Sequence, residues 1–230
     1  MQTLALIPAR KGSKRIPNKN IKDFCGIPII GYSIKAALEW HFDEVMVYTD
    51  SYKYTKIAKE FGAQVPFRRD KADDAQGLFE VVREVLLLYK LQKQLEFDFV
   101  CLIYPCAPFI NPELIEAGYN ILLWGNHDCV FPVAPNPFHY QQLFYFRDDQ
   151  IKYVFPAFRD TPSNDWEPTY RSAGQYFWLN AKKLKYNKTL IPDNSGAIVI
   201  HPWEAVDIDT TEDWEYAEIK YKMLLEMNYR

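Results

Sequence analysis

A chain of 230 residues, 48% of them hydrophobic and with a net charge of −3, can bury one sizeable core and lies in the range where an α/β fold stays a single domain, here expected over 1–230. No apolar run reaches the length of a membrane span, and the N-terminus enters strand-like sequence without the regions of a signal peptide, so a cytoplasmic protein with no membrane partner is expected. Cys25, Cys101, Cys106 and Cys129 form no C-x-x-C pair, which argues against a zinc site or a disulfide framework and for buried thiols in a reducing compartment.

Leu4 to Ile7 reads as a buried strand, stopped by Pro8 and Gly12. The loop that follows carries Arg10, Lys11, Lys14, Arg15 and Lys19 with no acid before Asp23, and the N–H groups around Gly12 and Ser13 are free to wrap phosphate oxygens. Its spacing is neither G-x-x-x-x-G-K-[ST] nor G-x-G-x-x-G. A phosphate-binding loop and a solvated basic loop both remain open; a nucleic-acid patch is disfavoured because the rest of the chain is not basic.

Pro28 is expected to open a first helix with Ile30, Ile34, Ala37, Leu38 and His41 on one face. Glu44 to Thr49 is a strand, Asp50 and Ser51 cap a second helix through Tyr54, Ile57, Ala58 and Phe61, and Ala63 to Phe67 gives a further strand. After a charged loop over 68–77, a long helix over 78–95 turns Val81, Val82, Val85, Leu88 and Tyr89 inward. Phe99 to Tyr104 is a strand ended by Pro105, Pro112 opens a helix through Leu114, Ile115, Gly118, Ile121 and Leu122, and Cys129 to Val133 is the next strand. Such alternation predicts a mostly parallel sheet covered on both faces, with ligands at the carboxyl ends of the strands. The basic loop, the Asp50 turn and the Pro105 loop all fall there.

Between 135 and 170 the alternation breaks and aromatics crowd, with a β-hairpin over 143–155 turning at Asp148 and Asp149. Strands return over 174–179 and 196–200, then an extended run over 205–209. Thr210 and Asp213 have capping-box spacing for a last helix whose buried stripe is Trp214, Ala217, Tyr221 and Leu224. Asp207 and Asp209, two apart in the extended run, leave the same face; the pair suits Mg²⁺ shared with substrate phosphates, or else the positive end of the following helix. His41, His127, His139 and His201 are scattered and none is assigned to catalysis.

The stretch Ile7-Pro-Ala-Arg-Lys-Gly-Ser-Lys-Arg-Ile-Pro-Asn-Lys-Asn20 resembles the N-terminal signature of the CMP-N-acetylneuraminate synthetase family, the cytidylyltransferases that activate sialic-acid-like sugars. Val206-Asp-Ile-Asp-Thr-Thr-Glu-Asp-Trp214 resembles that family's metal-binding stretch, and the pieces follow in family order over the whole chain. The resemblance implies a three-layer, Rossmann-like nucleotide-diphospho-sugar transferase fold and a reaction of CTP with a nine-carbon 2-keto sugar acid to give the CMP-sugar and pyrophosphate. It implies Ala9, Arg10, Ser13, Lys14 and Asn20 as nucleotide contacts, with Lys19, Arg10 and Lys14 as the catalytic cations. Arg69 falls near the cytosine, with Arg68 or a salt bridge from Arg69 to Asp70, Asp73 or Asp74 as competing readings. Asp207 and Asp209 become Mg²⁺ ligands, and the 135–170 excursion the contact of a homodimer. Lys11, Arg15 and Lys22 are left as solvated charges.

Two departures bear on the sugar. Where the family has Gln-Pro-Thr-Ser-Pro this chain has Tyr104-Pro-Cys-Ala-Pro108, and where it has Asn-Gly this chain has Ala173-Gly174. Both remove polar side chains, which shifts the resemblance toward the pseudaminic acid branch. Tyr104, Gln175, Tyr176 and Phe177 are the expected sugar wall, with core packing an equal reading for Phe177. A metal-dependent glycosyltransferase of related fold and a non-catalytic nucleotide-binding regulator are the alternatives in function.

Overall fold

The computed structural model describes residues 1–69 and 76–227. In chain order its elements are β1 (Thr3–Pro8), β2 (Asp23–Phe24), β3 (Ile27–Pro28), α1 (Ile30–Trp40), β4 (Glu44–Tyr48), α2 (Tyr52–Glu60), α3 (Leu78–Leu88), β5 (Phe99–Ile103), α4 (Pro112–Trp124) and β6 (Cys129–Pro135). They are followed by β7 (Phe144–Arg147), β8 (Gln150–Tyr153), β9 (Tyr170–Ser172), β10 (Tyr176–Asn180), β11 (Ser195–Val199) and α5 (Thr211–Glu226).

β1 is an uninterrupted apolar run, and it is buried along its whole length because helices cover both its faces. Its side chains alternate between two cores. Ala5 and Ile7 pack with Ile30, Ile34, Ala58, Leu114 and Ile115 of α1, α2 and α4, whereas Leu4 and Leu6 pack with Val81, Val82 and Val85 of α3. The result is the expected three layers. A third cluster joins Ile16, Phe24, Ile29, Cys106 and Phe109 to Trp214, Ala217 and Leu224 of α5, so the last helix lies beneath the loop that follows β1.

The sheet order is β11-β6-β10-β5-β1-β4, with β9 paired to β6. β1 runs parallel to β4 and β5, and β11 parallel to β6. β10 is antiparallel to both β5 and β6, and β9 to β6, so a mostly parallel sheet carries one reversed strand at its centre. Because β4 and β5 lie on opposite sides of β1, the direction of winding reverses between β1 and β5. That reversal opens a crevice at the carboxyl ends of these two strands.

Several boundaries differ from the sequence reading. Pro28 belongs to the β2–β3 ribbon, whose turn at Cys25 and Gly26 has φ of 47° and 102°, and α1 starts only at Ile30. His41 is the left-handed cap of α1, at φ 67°, and Leu38 is exposed, so neither belongs to its inward face. The strand expected over Ala63 to Phe67 is reduced to a bridge between Gln64 and Met46; Pro66 has no N–H with which to extend it. The helix from Leu78 gives way after Leu88 to a π-helical turn over Tyr89–Lys93. The 205–209 run joins no sheet. By contrast β7 and β8 form the expected hairpin, with Asp148 and Asp149 at φ 51° and 56° in the two-residue turn that matches strand twist. No helix among the described residues is long and apolar enough to cross a membrane.

Candidate active site

The loop after β1 is held at three points. Ala9 N–H donates to the Tyr48 carbonyl at 2.9 Å, Lys11 N–H to Asp50 Oδ1 at 2.9 Å, and Ile16 is buried in the third cluster as a plug. Asp50 therefore ties down the loop, while Ser51 alone caps α2, its hydroxyl accepting from Tyr54 N–H. From this loop and the turn after it Arg10, Ser13, Lys14, Arg15 and Lys19 line a cleft of about 560 Å³. Tyr104, Pro105 and Cys106 close it from the end of β5, and Gly174, Asp207, Ile208 and Asp209 form the opposite wall. The cleft sits in the crevice between β1 and β5.

The 205–209 segment presents its acids without a strand ladder. Ala205, Val206 and Ile208 are buried, so Asp207 and Asp209 alternate outward into the cleft. The capping of α5 is done elsewhere: the Thr210 hydroxyl accepts from Asp213 N–H, and Asp213 Oδ2 accepts from the N–H groups of Thr210 and Asp209 at 2.8 and 3.0 Å. Of the two readings of the acidic pair, the cap thus has its own residues. Gly174, at φ +67°, brings its backbone against Asp207: a Cβ there would lie 3.6 Å from the Asp207 carboxyl carbon.

Cations and acids meet across the cleft. Lys19 Nζ donates to the Ile208 carbonyl at 2.7 Å and lies 3.4 Å from Asp209 Oδ1, and the Arg15 guanidinium lies 2.7 Å from the same oxygen. Arg15 is largely exposed, as expected of a solvated charge, and also lines the cleft and pairs with Asp209. Partial desolvation and then the neighbouring Asp209 charge push the Asp207 carboxyl above its usual range, with Lys19 opposing. Four cations facing two carboxylates leave an excess of positive charge that suits a polyphosphate. Among the described residues there is no cluster of three or more His, Cys, Asp or Glu that could hold a metal on its own. Two carboxylates do fit Mg²⁺ of the kind completed by substrate phosphates and water.

Five expected site residues lie outside the cleft lining. Ala9 is wholly buried, and its N–H continues the β1–β4 ladder. Tyr176 is a core residue, 1% exposed, its hydroxyl donating to the Leu114 carbonyl at 2.7 Å. Phe177 packs on Phe131 and Tyr104 in the α3-side core, as the alternative reading had it. Gln175 is 2% exposed and donates to the Glu204 carbonyl. Residues 176 and 177 sit in a strand covered on both faces, which the loss of a polar side chain at Ala173 had not revealed.

Arg69 is 6% exposed, its guanidinium donating to Gln76 Oε1 at 2.6 Å; Gln76 in turn donates to Glu84, which also accepts from the Tyr48 hydroxyl. The competing partners Asp70, Asp73 and Asp74 lie outside the described residues. Arg68 is exposed, its guanidinium 3.7 Å from the centre of the Tyr52 ring. Lys22, also expected to be solvated, lies 4.2 Å from the Trp214 ring. The site residues that sequence reading missed are Arg15, Pro105, Cys106, Gly174 and Ile208. Cys106 had been noticed only as part of a departure from the family's pattern, and Gly174 only as the glycine that follows one.

A family model described as cytidylyltransferase matches residues 4–189. The chain belongs to the cytidylyltransferase family. It is 34% identical to the pseudaminic acid cytidylyltransferase of Campylobacter jejuni over 227 residues, 97% of each chain. It is also 34% identical to the CMP-N,N'-diacetyllegionaminic acid synthase of Legionella pneumophila, covering 99% of this chain and 98% of that one. Among solved structures, a CMP:2-keto-3-deoxy-manno-octonic acid synthetase complexed with CTP superposes with a TM-score of 0.70 at 16% identity, over 98% of this chain and 100% of that one. The resemblance read from the basic loop and the nucleotidyltransferase fold it implied are both borne out. The acidic pair lies beyond the matched 4–189 stretch, so its place in the site rests on geometry.

Proposed function

We propose that the chain couples CTP to the anomeric hydroxyl of a nonulosonic acid, pseudaminic acid in preference, and releases pyrophosphate. The observation that carries this reading is the meeting of the Arg10–Lys19 loop with Asp207 and Asp209 in one cleft at the β1/β5 crevice. In the reaction the sugar oxygen bonds to the α-phosphorus, the bond to the β-phosphate oxygen breaks, and the hydroxyl proton leaves to solvent. Lys19, fixed against the Ile208 carbonyl, supplies charge where it grows at the α-phosphate; Arg10, Ser13 and Lys14 hold the departing pyrophosphate. Asp207 and Asp209 would hold Mg²⁺, whose chemistry there is neutralisation of phosphate charge. The excess of cations favours a free triphosphate over the sugar diphosphate of a glycosyltransferase.

For the sugar, Tyr104, Pro105 and Gly174 supply an edge of the cleft with few polar side chains beside Asp207. Such an edge suits a deoxy sugar with a terminal methyl better than the glycerol tail of sialic acid, and similarity to enzymes named for pseudaminic and legionaminic acids points the same way. A methyl-for-hydroxymethyl choice is worth about 1–3 kcal/mol, or roughly 10- to 200-fold. The test is kcat/KM with CTP for pseudaminic, legionaminic and N-acetylneuraminic acids. Pseudaminic acid ranking first supports the assignment; N-acetylneuraminic acid ranking first overturns it.

The quaternary reading is a homodimer through the 135–170 excursion. β7 and β8 form a two-stranded ribbon separate from the main sheet, and Phe144, Tyr145, Phe146 and Ile151 are exposed on it, with Phe138 exposed in the segment before it. An isolated ribbon with this much uncovered apolar surface is marginal in water, so a second copy is the covering we assign to it.

A further inference from the structure

Asn20 is 6% exposed, yet its side chain reaches the wall of the cleft. Its amide is gripped from both ends. Nδ2 donates to the Arg10 carbonyl at 3.0 Å, and Oδ1 accepts from the Cys106 thiol at a sulfur–oxygen distance of 3.2 Å. Arg10 belongs to the loop after β1 and Cys106 to the loop after β5, so this amide bridges the two strand ends that bracket the cleft. A primary amide has two N–H groups, and the Arg10 carbonyl takes one of them. The grip at Oδ1 therefore decides where the other points.

We propose that Cys106 is a positioning residue, its S–H fixing the Asn20 amide so that the second Nδ2 hydrogen faces the cleft as a donor to an acceptor on the nucleotide. Turning the amide over would set Oδ1 against the Arg10 carbonyl oxygen, which is repulsive. Loss of the thiol leaves Oδ1 buried without a donor, and the amide then swings about its single bond in search of one. Cys106 is 9% exposed and packed in the cluster of Ile16, Phe109 and Trp214, so its sulfur has little room to turn away. A residue at the end of β5 thereby sets hydrogen-bond polarity in the loop after β1.

The inference rests on the nucleotide reading of the cleft, and CTP binding measured by calorimetry without sugar separates the two. Cys106→Ala should weaken CTP about 5- to 15-fold, the worth of one hydrogen bond in a buried site, and Cys106→Ser, which restores a donor, should return to within about threefold of wild type. In an Asn20→Ala background Cys106→Ala should have no further effect, because the group it acts through is gone. Thermal melts of each variant check that the fold is kept. If Cys106→Ala melts below the assay temperature, the serine variant decides: binding more than about fivefold weaker than wild type overturns the proposal. So does an alanine variant that binds CTP like wild type, or an effect of the same size in both backgrounds. Absence of CTP binding by the wild-type protein overturns the nucleotide reading, and this inference with it.

Discussion

Asp207 and Asp209 are neighbours with different surroundings, and their substitutions should therefore separate stability from turnover. Asp209 already has Arg15 and Lys19 against one oxygen, whereas Asp207, exposed to the cleft, is pushed upward by partial desolvation there and then by Asp209. A carboxyl whose folded pKa is raised binds more protons native than unfolded, so stability falls as pH rises from the unfolded pKa through the folded one and stays lower above it. Asp207→Asn relieves that penalty. At neutral pH its melting temperature should rise or hold while Mg²⁺-dependent turnover drops at least about a hundredfold. A fall in melting temperature with turnover near normal would contradict both halves. Lys19→Ala should lower kcat more than it raises the CTP KM, because its charge is needed chiefly as the transition state forms; a change in KM alone would make Lys19 a binding group. The basic loop was legible at this scale because five cations without an acid make a pattern in one dimension. The pairings of Arg15 with Asp209 and of Cys106 with Asn20 were not, because these partners are distant in sequence and only the fold brings them close.

The start of α5 shows how one element orders the site. Asp213 accepts from two backbone N–H groups, and against the cost of its burial these bonds hold its carboxyl below the usual range. For a depressed carboxyl the sign is opposite: the stabilisation is full above the unfolded pKa and is lost as pH falls through the folded one. Asp213→Ala should therefore cost about 1 kcal/mol at neutral pH, by denaturant titration, and the gap to wild type should close in acid. A gap that persists below the folded pKa would mean that packing, not the cap, was lost. The capping box could be read from the sequence because its residues are three apart. The reversed direction of β10 could not, since an apolar run such as 176–180 carries no sign of which way it runs between its neighbours. The reversal brings the start of β10 to the carboxyl end of β5, but the strand is covered on both faces, so Tyr176 and Phe177, expected at the sugar, are found in the core. Pro28 misled for a related reason: proline suits the first turn of a helix and a short ribbon alike, and the positive φ at Cys25 and Gly26 settles it in favour of the ribbon.

For the whole molecule, alternation of strands and helices was enough to foresee a three-layer sheet and to put the ligand at its carboxyl edge, since both follow from periodicities of two and 3.6 residues. The order of the strands, and with it the crevice between β1 and β5, needed the structure. Within the aromatic excursion the hairpin lies apart from the main sheet, and Phe144, Tyr145, Phe146 and Ile151 on it are exposed. Sedimentation at micromolar concentration should give a dimer, and charged residues placed at Phe146 and Ile151 should convert it to a monomer; a monomeric wild type would refute the covering assigned to that face. The chemistry itself has a more direct test. Purified protein mixed with CTP, Mg²⁺ and pseudaminic acid should release one pyrophosphate for each CMP-sugar formed, and omission of any one of the three should abolish it. Pyrophosphate release that does not require the sugar acid, or none with any nonulosonic acid, would contradict the account.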